Sequence, residues 1–400
     1  MRFPLILIII VLLLGAAVDF YLYRCCRRFN RDRTRQRCRR LVLWSSAALT
    51  AWLVVMVCWP KRSGDNHQLT VLMWNLFAYF SVYISKYVWA IADLLSRVPR
   101  LFRRKRAKWL GRSGAVVSIF IFASLWWGAL VTRNQIEVKN VDIEIDCLPE
   151  AFDGFTIAQF SDLHTGSFGS DTSFCNKLVE KINSLGADAI VFTGDIVNRR
   201  SDELLPFTES LSRLHAHAGV FSILGNHDYG DYYDWPDSIS KKEDLELLID
   251  LQKNMGWRLL LNETVMLHAG GDSLALIGVE NVGDPPFHSY GDLDAAYPGE
   301  LSDPICKILL SHNPAHWTSD IAGAPDKNIA LTLSGHTHAM QIELCGLSPA
   351  VFRYPTWGGT YDDGDDKHLL YVNIGSGEVG IPARIGATPE VTLFTLHKKQ

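Results

Sequence analysis

The 400-residue chain has no Cys-x-x-Cys pair: its eight cysteines are scattered, with Cys25 and Cys26 adjacent and Cys147, Cys175, Cys306 and Cys345 far apart in the second half. That spacing excludes a zinc knuckle and offers no obvious disulfide framework, so isolated thiols are the expectation. The chain also lacks a repeat of fixed period and a low-complexity tract, which argues against a solenoid. Acids are scarce before residue 135, where Leu, Ile, Val, Trp and Arg dominate, and the remainder is mixed and acidic. The net charge of −4 averages two unlike halves and points to no nucleic-acid partner.

Charge is missing altogether from two long apolar runs, 41–59 and 114–132, and nearly so from 4–23. Each is long enough to cross the roughly 30 Å of bilayer hydrocarbon. A fourth run, 69–91, is less clean. The segment from Leu69 to Leu95 holds Asn75, Lys86 and Asp93, and Lys86 is expected to snorkel to the near interface. Residues 1–132 therefore read as an all-α region of about four transmembrane helices. Arg24–Arg40 carries nine arginines against one acid, Asp32, and Ser96–Ser113 carries eight Lys/Arg and no acid. The loop between spans two and three has only Lys61, Arg62 and Asp65. The positive-inside rule puts both basic loops in the cytoplasm. With four spans, the later domain faces the periplasm or exterior of an inner or plasma membrane. Beside membrane spans such loops are topology signals or contacts to membrane lipid rather than nucleic-acid sites.

Residues 133–154 alternate apolar and polar side chains (Ile136, Val138, Val141, Ile143, Ile145) and then reach a turn, which predicts an edge strand and a linker. From 155 to 400, apolar β-branched runs end on polar residues of one character. Phe155–Phe160 leads to Ser161-Asp162-Leu163-His164, Ala189–Phe192 to Gly194-Asp195, and Val220–Leu224 to Gly225-Asn226-His227-Asp228. Ile308–Leu310 leads to Ser311-His312-Asn313, and Ile329–Leu333 to Gly335-His336-Thr337-His338. Five strand ends carrying His, Asp or Asn describe one polar rim, where open α/β sheets bind ligands. Between them, Asp171–Leu185, Ser201–His215 and Lys241–Met255 have helical spacing, with Asp171 set to cap the first. Three alternating segments follow the last of these helices, so the domain reads as two packed sheets with helices outside.

Carboxylate, imidazole and amide oxygen without thiolate is the ligand set of hydrolytic divalent metals, here Mn, Fe or Zn. A pair of ions needs one bridging carboxylate, and at about 3.5–4 Å apart it clamps a phosphoryl group and activates a shared water as hydroxide. The proton donor to the leaving group must stand beside the ligands. His227 is the candidate, with Asp228 expected to hold its ring. Glycines before Asp195, Asn226 and His336 fit tight turns that leave room for metal. His215 and His217, at a helix end, read as solvated or facing the helix dipole rather than as ligands, and His268, His288 and His316, with no motif around them, read as structural.

At these residues the sequence resembles the calcineurin-like metallophosphoesterase superfamily, whose pattern is D-x-H, G-D, G-N-H-[DE], a lone H and G-H-x-H. The resemblance implies a four-layer α/β/β/α sandwich and two divalent metal ions. It implies one ion on Asp162, His164, Asp195 and His338, and another on Asp195, Asn226, His312 and His336. Asp195 then bridges, and His227 meets the scissile phosphate or its leaving oxygen. The purple acid phosphatase branch has Tyr three residues after the bridging Asp; Asn198 stands there, so no tyrosinate chromophore is expected. The tail Tyr371-Val-Asn-Ile-Gly-Ser-Gly377, Ile381-Pro-Ala-Arg384 and Pro389-Glu390 resembles membrane-associated members, among them enzymes proposed to hydrolyse UDP-diacylglucosamine. Arg384 is accordingly expected to pair with a substrate phosphate. The function so implied is a membrane-anchored phosphohydrolase cleaving a phosphoester or pyrophosphate bond, and the membrane tether suggests a lipid or envelope substrate. The alternative class is a non-catalytic membrane sensor or scaffold that binds metal or phosphate.

Overall fold

A computed structural model describes residues 5–58, 66–284, 288–297, 299–324, 326–364 and 367–399. Pro4, Trp59, Lys61, Arg62 and Asp65 lie outside the described residues. The chain forms two compact units, Met1–Ala129 and Leu130–Gln400.

The first unit contains four long helices: α1 (Leu5–Cys25), α2 (Asp32–Cys58), α3 (Asn66–Leu95) and α4 (Lys108–Leu130). Three of them, α1, α2 and α4, are long and apolar enough to cross a membrane. The third helix has the length, about 45 Å at the usual rise per residue, and its apolar run is interrupted by Asn75, Lys86 and Asp93. Its polar groups turn inward. Ser81, Tyr83, Ser85 and Asp93 are buried, whereas Ile6, Leu13, Trp44, Ile119 and Phe120 on the other helices are exposed as a lipid-facing surface requires. Neighbouring helices run antiparallel, as Trp52 Nε1 to Asn75 Oδ1 (3.0 Å) and Trp126 Nε1 to Ser81 Oγ (3.1 Å) register. Lys86 does not snorkel. Its ammonium binds Asp19 Oδ1 at 2.8 Å, and Tyr83 donates to the other oxygen of that carboxylate at 2.9 Å. In low dielectric an internal partner outweighs the reach to an interface.

The second unit is built on two six-stranded sheets. The first runs in the order β1 (Glu137–Ile145), β12 (Glu390–Lys398), β2 (Thr156–Phe160), β3 (Ala189–Phe192), β4 (Gly219–Ser222), β5 (Arg258–Leu259). The second runs β10 (Gly359–Tyr361), β11 (Leu369–Val372), β9 (Ile329–Ser334), β8 (Lys307–Leu310), β7 (Asp272–Gly278), β6 (Glu263–Ala269). Strand periodicity sorts the core. Ile157, Ala189 and Val191 of the first sheet meet Leu274, Leu276, Ile308 and Leu331 of the second in one cluster. The alternate residues Ala158, Phe160, Ile190 and Phe192 face outward against α5 (Ser173–Asn183) and α7 (Ser238–Asn254). Ala275, Ile277 and Leu309 face outward under the short helix α8 (Leu293–Ala296) and Trp317. The result is helix, sheet, sheet, helix, with the expected edge strand β1 paired to β12.

One expected helix is broken. Ser201–His215 forms two single 3₁₀ turns and the short α6 (Thr208–Leu211), because Pro206 supplies no amide hydrogen to carry a helix through. Strands β2, β3 and β4 are parallel neighbours, as are β8 and β9. Their carboxyl ends bring the five motif fragments together.

Candidate metal centre

The backbone at these strand ends is unusual. Asp162, His164, Asp195, His336 and His338 all have positive φ, between 47° and 75°. Non-glycine residues there cost roughly 1–3 kcal/mol each, so the surroundings must hold them. Asp195 is held by its neighbours: Asp228 accepts from the amides of Asp195, Ile196 and Gly225 at 2.9 Å and of Val197 at 3.2 Å. The glycines are there for close approach. A side chain at Gly225 would land on the Asp195 carboxylate, and one at Gly335 on Ser161 Oγ and Asp162 Oδ2. Of these motif glycines Gly194 alone needs positive φ, at 95°.

The side chains converge as two carboxylates among imidazoles. Asp162 Oδ1 lies 3.2 Å from His338 Nε2, and Asp195 Oδ2 lies 3.2 Å from His312 Nε2 and 3.6 Å from His164 Nε2. Three triads have donor atoms close enough to share an ion: Asp162, His164 and His338; His164, Asp195 and His227; Asp195, His312 and His336. The ring orientations are set from behind. His312 Nδ1 donates to the Thr193 carbonyl at 2.7 Å, and His227 Nδ1 to that of Asn198 at 2.7 Å. Tyr354 Oη holds His336 Nε2 at 3.1 Å, which turns Nδ1 toward His312.

This arrangement fits a cation on its own evidence. With its Nδ1 proton given to Thr193, neutral His312 presents a lone pair at Nε2. That atom faces Asn226 Oδ1 at 3.2 Å, and the Asn226 amide nitrogen is committed to the Tyr232 hydroxyl at 2.9 Å. Acceptor facing acceptor is repulsive unless positive charge lies between them. His164 Nε2 and His338 Nε2 lie 3.0 Å apart. Protons answer the same demand. Burial pulls His312 down, yet the Asp195 carboxylate pushes it up to about 9. Burial raises Asp195, yet the imidazoles, His312 first, hold it well below the usual range.

A cavity of about 240 Å³ opens above these groups, lined by His164, Asp195, Asn226, His227, His336 and His338. Asp162 and His312 are fully buried beneath it. Two expected roles are corrected. Asp228 does not touch the His227 ring: its oxygens are used by the four amides above, and the ring is held by Asn198. Arg384 cannot reach a substrate phosphate, being completely buried. It donates to the carbonyls of Gly377, Ile374 and Ala387 and approaches His338 Nδ1 at 3.2 Å.

Other groups at the cavity escaped sequence reasoning. Tyr232 stacks on His227 with centroids 4.1 Å apart; it lies in the aromatic, acidic loop directly after the Gly225–Asp228 motif, which was the available signal. Tyr354, Arg353, Asn281 and Asp284 also line the cavity, with no local pattern around them. Trp357 packs behind the site against Ala339 and Ile374.

A fold of two sheets with a carboxylate–imidazole rim defines a class, the metal-dependent phosphoesterases. The family model described as calcineurin-like phosphoesterase matches residues 155–340, and one described as the transmembrane domain of a probable calcineurin-like phosphoesterase matches residues 1–133. The chain is 32% identical over 314 residues to the uncharacterized metallophosphoesterase YkuE of Bacillus subtilis, covering 75% of this chain and 99% of that protein. It is 27% identical to a transmembrane protein with metallophosphoesterase domain from Danio rerio, covering 91% of this chain and 81% of that one. It is 28% identical to the UDP-2,3-diacylglucosamine pyrophosphatase LpxG of Chlamydia trachomatis, covering 63% of this chain and 86% of that one. The chain belongs to the calcineurin-like phosphoesterases and is anchored in a membrane by its N-terminal helices.

Proposed function

We propose that the chain is a two-metal phosphohydrolase acting on a phosphorylated, lipid-linked substrate. One ion is held by Asp162, His164, Asp195 and His338, and the other by Asp195, Asn226, His312 and His336, with Asp195 shared. The observation that carries this reading is the convergence of donor atoms close enough to share an ion, Asp162 with His164 and His338 on one side and Asp195 with His312 and His336 on the other. Bound divalent ions, here Mn, Fe or Zn, supply Lewis acidity and a water that is acidic near neutral pH. The chain's own groups do the rest. His227, fixed through Nδ1, lines the cavity and in its imidazolium form gives the Nε2 proton to the leaving oxygen. Arg353, at the rim and bonded to Asp284 at 3.2 Å, takes the phosphate-pairing role once expected of Arg384.

Two features favour a lipid-linked substrate. The segment between His338 and Arg353 leaves Leu344, Leu347, Val351 and Phe352 exposed, Phe352 at 92%, and it runs directly into the cavity residues Arg353 and Tyr354. The name of the chlamydial relative also denotes an enzyme acting on an acylated sugar nucleotide. The basic loops argue for a catalytic unit on the exterior or periplasmic side. The test is hydrolysis by the purified, metal-loaded full chain of phosphomonoesters, phosphodiesters and lipid pyrophosphates. Cleavage of an acylated substrate, lost in Asp195→Asn, is expected. A protein that retains metal and hydrolyses none of them contradicts the reading and leaves a binding role.

A further inference from the structure

A cluster of arginines lies in the helical unit, and the catalytic reading does not use it. A cavity of about 600 Å³ is lined by Arg24, Arg27, Arg28, Arg97, Arg100 and Arg106. These come from two stretches some seventy residues apart, the end of α1 with the turn after it and the link from α3 to α4. They meet on one carboxylate. Asp93 is 1% exposed and accepts a two-point contact from Arg28 at 2.7 Å, one from Arg97 at 3.1 Å, one from Arg106, and the Tyr21 hydroxyl at 2.5 Å. That single charge orients three guanidiniums without neutralising them. Arg24, Arg27 and Arg100 have no acidic partner among the described residues.

Topology signals alone need only be basic and solvated. Here six guanidiniums border one concavity, three of them fixed by a buried acid, so the cavity has an excess of positive charge that a counter-anion relieves. Guanidinium forks match phosphate oxygens. The remaining wall is apolar, made by Ala17, Phe20 and Tyr21 of α1, and the Phe20 side chain is 62% exposed. An arginine basin beside an apolar helix wall suits a phosphate attached to a glycerol and acyl chains. We propose that this cavity is a binding site for a phosphate-bearing anion, and that the headgroup of an anionic phospholipid occupies it. The site is separate from the metal centre and does not depend on its chemistry.

The test uses the full chain in phosphatidylcholine nanodiscs, with phosphatidylglycerol or inorganic phosphate added and binding read by native mass spectrometry. Arg24→Ala with Arg100→Ala removes two guanidiniums and leaves the Asp93 cluster intact. Arg33→Ala with Arg37→Ala removes the same charge from the basic stretch outside the cavity. At about fivefold per arginine, the first pair should weaken phosphatidylglycerol binding roughly twenty- to thirtyfold, and the second by less than about threefold. Equal losses in both pairs, or no preference for phosphatidylglycerol over phosphatidylcholine, overturn the site. Binding of inorganic phosphate without binding of phosphatidylglycerol overturns the lipid assignment. Should the first pair not fold, protection of wild-type arginines from phenylglyoxal reads the same site. Phosphatidylglycerol must shield Arg24 and Arg100 ahead of Arg33 and Arg37, and equal shielding contradicts the proposal.

Discussion

At the scale of residues, the candidate ligands were legible because the chemistry proposed for them demands particular side chains at strand ends, and Asp162, His164, Asp195, Asn226, His312, His336 and His338 lie together there. The supporting contacts were not legible. Asp228 and Arg384 have the right chemistry for the roles first assigned to them, and what decides their actual contacts is burial and backbone proximity, which spacing does not reveal. Arg384→Lys tests the corrected reading. Lysine cannot reach three carbonyls and His338 together, so thermal stability should fall, by about 3–5 kcal/mol for a broken buried charge network, and metal retention with it. A raised KM with full metal content and unchanged stability would restore a substrate contact. His227→Ala should keep the metals and lose roughly 10²–10⁴-fold in rate, less for good leaving groups; equal losses for good and poor leaving groups remove His227 from the acid role. His316 offers a pH test away from the ligands. It is buried against Ser311 Oγ at 2.9 Å, and burial holds it down at about 4 from 6.5. The unfolded chain then binds the extra proton between those values, so its contribution to stability is present above about 6.5 and lost as pH falls toward 4. Between pH 6.5 and 4.5, the melting temperature of wild type should therefore drop further than that of His316→Asn, and parallel curves would contradict this.

At the scale of elements, period-two runs and helical spacing located most strands, together with α5 and α7, because each buries one face in a core. The failure at Ser201–His215 is informative: Leu204, Phe207, Leu211 and Leu214 are buried as helical spacing implied, but the backbone path around Pro206 is not helical. The third long helix was ambiguous for the opposite reason, since its polar residues serve neighbouring helices and dilute its apolar signal. The strand-end turns give an element-level prediction. Gly335→Ala inserts a methyl group where Ser161 Oγ and Asp162 Oδ2 sit. The sheets should persist by circular dichroism while bound metal falls well below the wild-type content, and a fully loaded Gly335→Ala protein would show that this turn does not constrain the ligand.

At the scale of the whole molecule, the chain joins a helical membrane unit to a phosphoesterase unit. Within the helical unit, both basic stretches reach Asp93 at one end, as two loops on the same side of a membrane should. In a cysteine-free background, Ser184→Cys on the exposed end of α5 should react with an impermeant maleimide in intact cells, and Ser113→Cys should react only after lysis. Labelling of Ser184→Cys only after lysis would put the catalytic unit in the cytoplasm and return soluble nucleotides to the list of substrates. The central claim, however, is the shared carboxylate between two ions, and counting metal tests it most directly. Elemental analysis of the purified full chain at saturating Mn or Zn should give two ions per chain. Asp195→Ala should lower that count, because both ions lose an oxygen. Saturation of the wild-type chain at one ion would contradict the two-metal account.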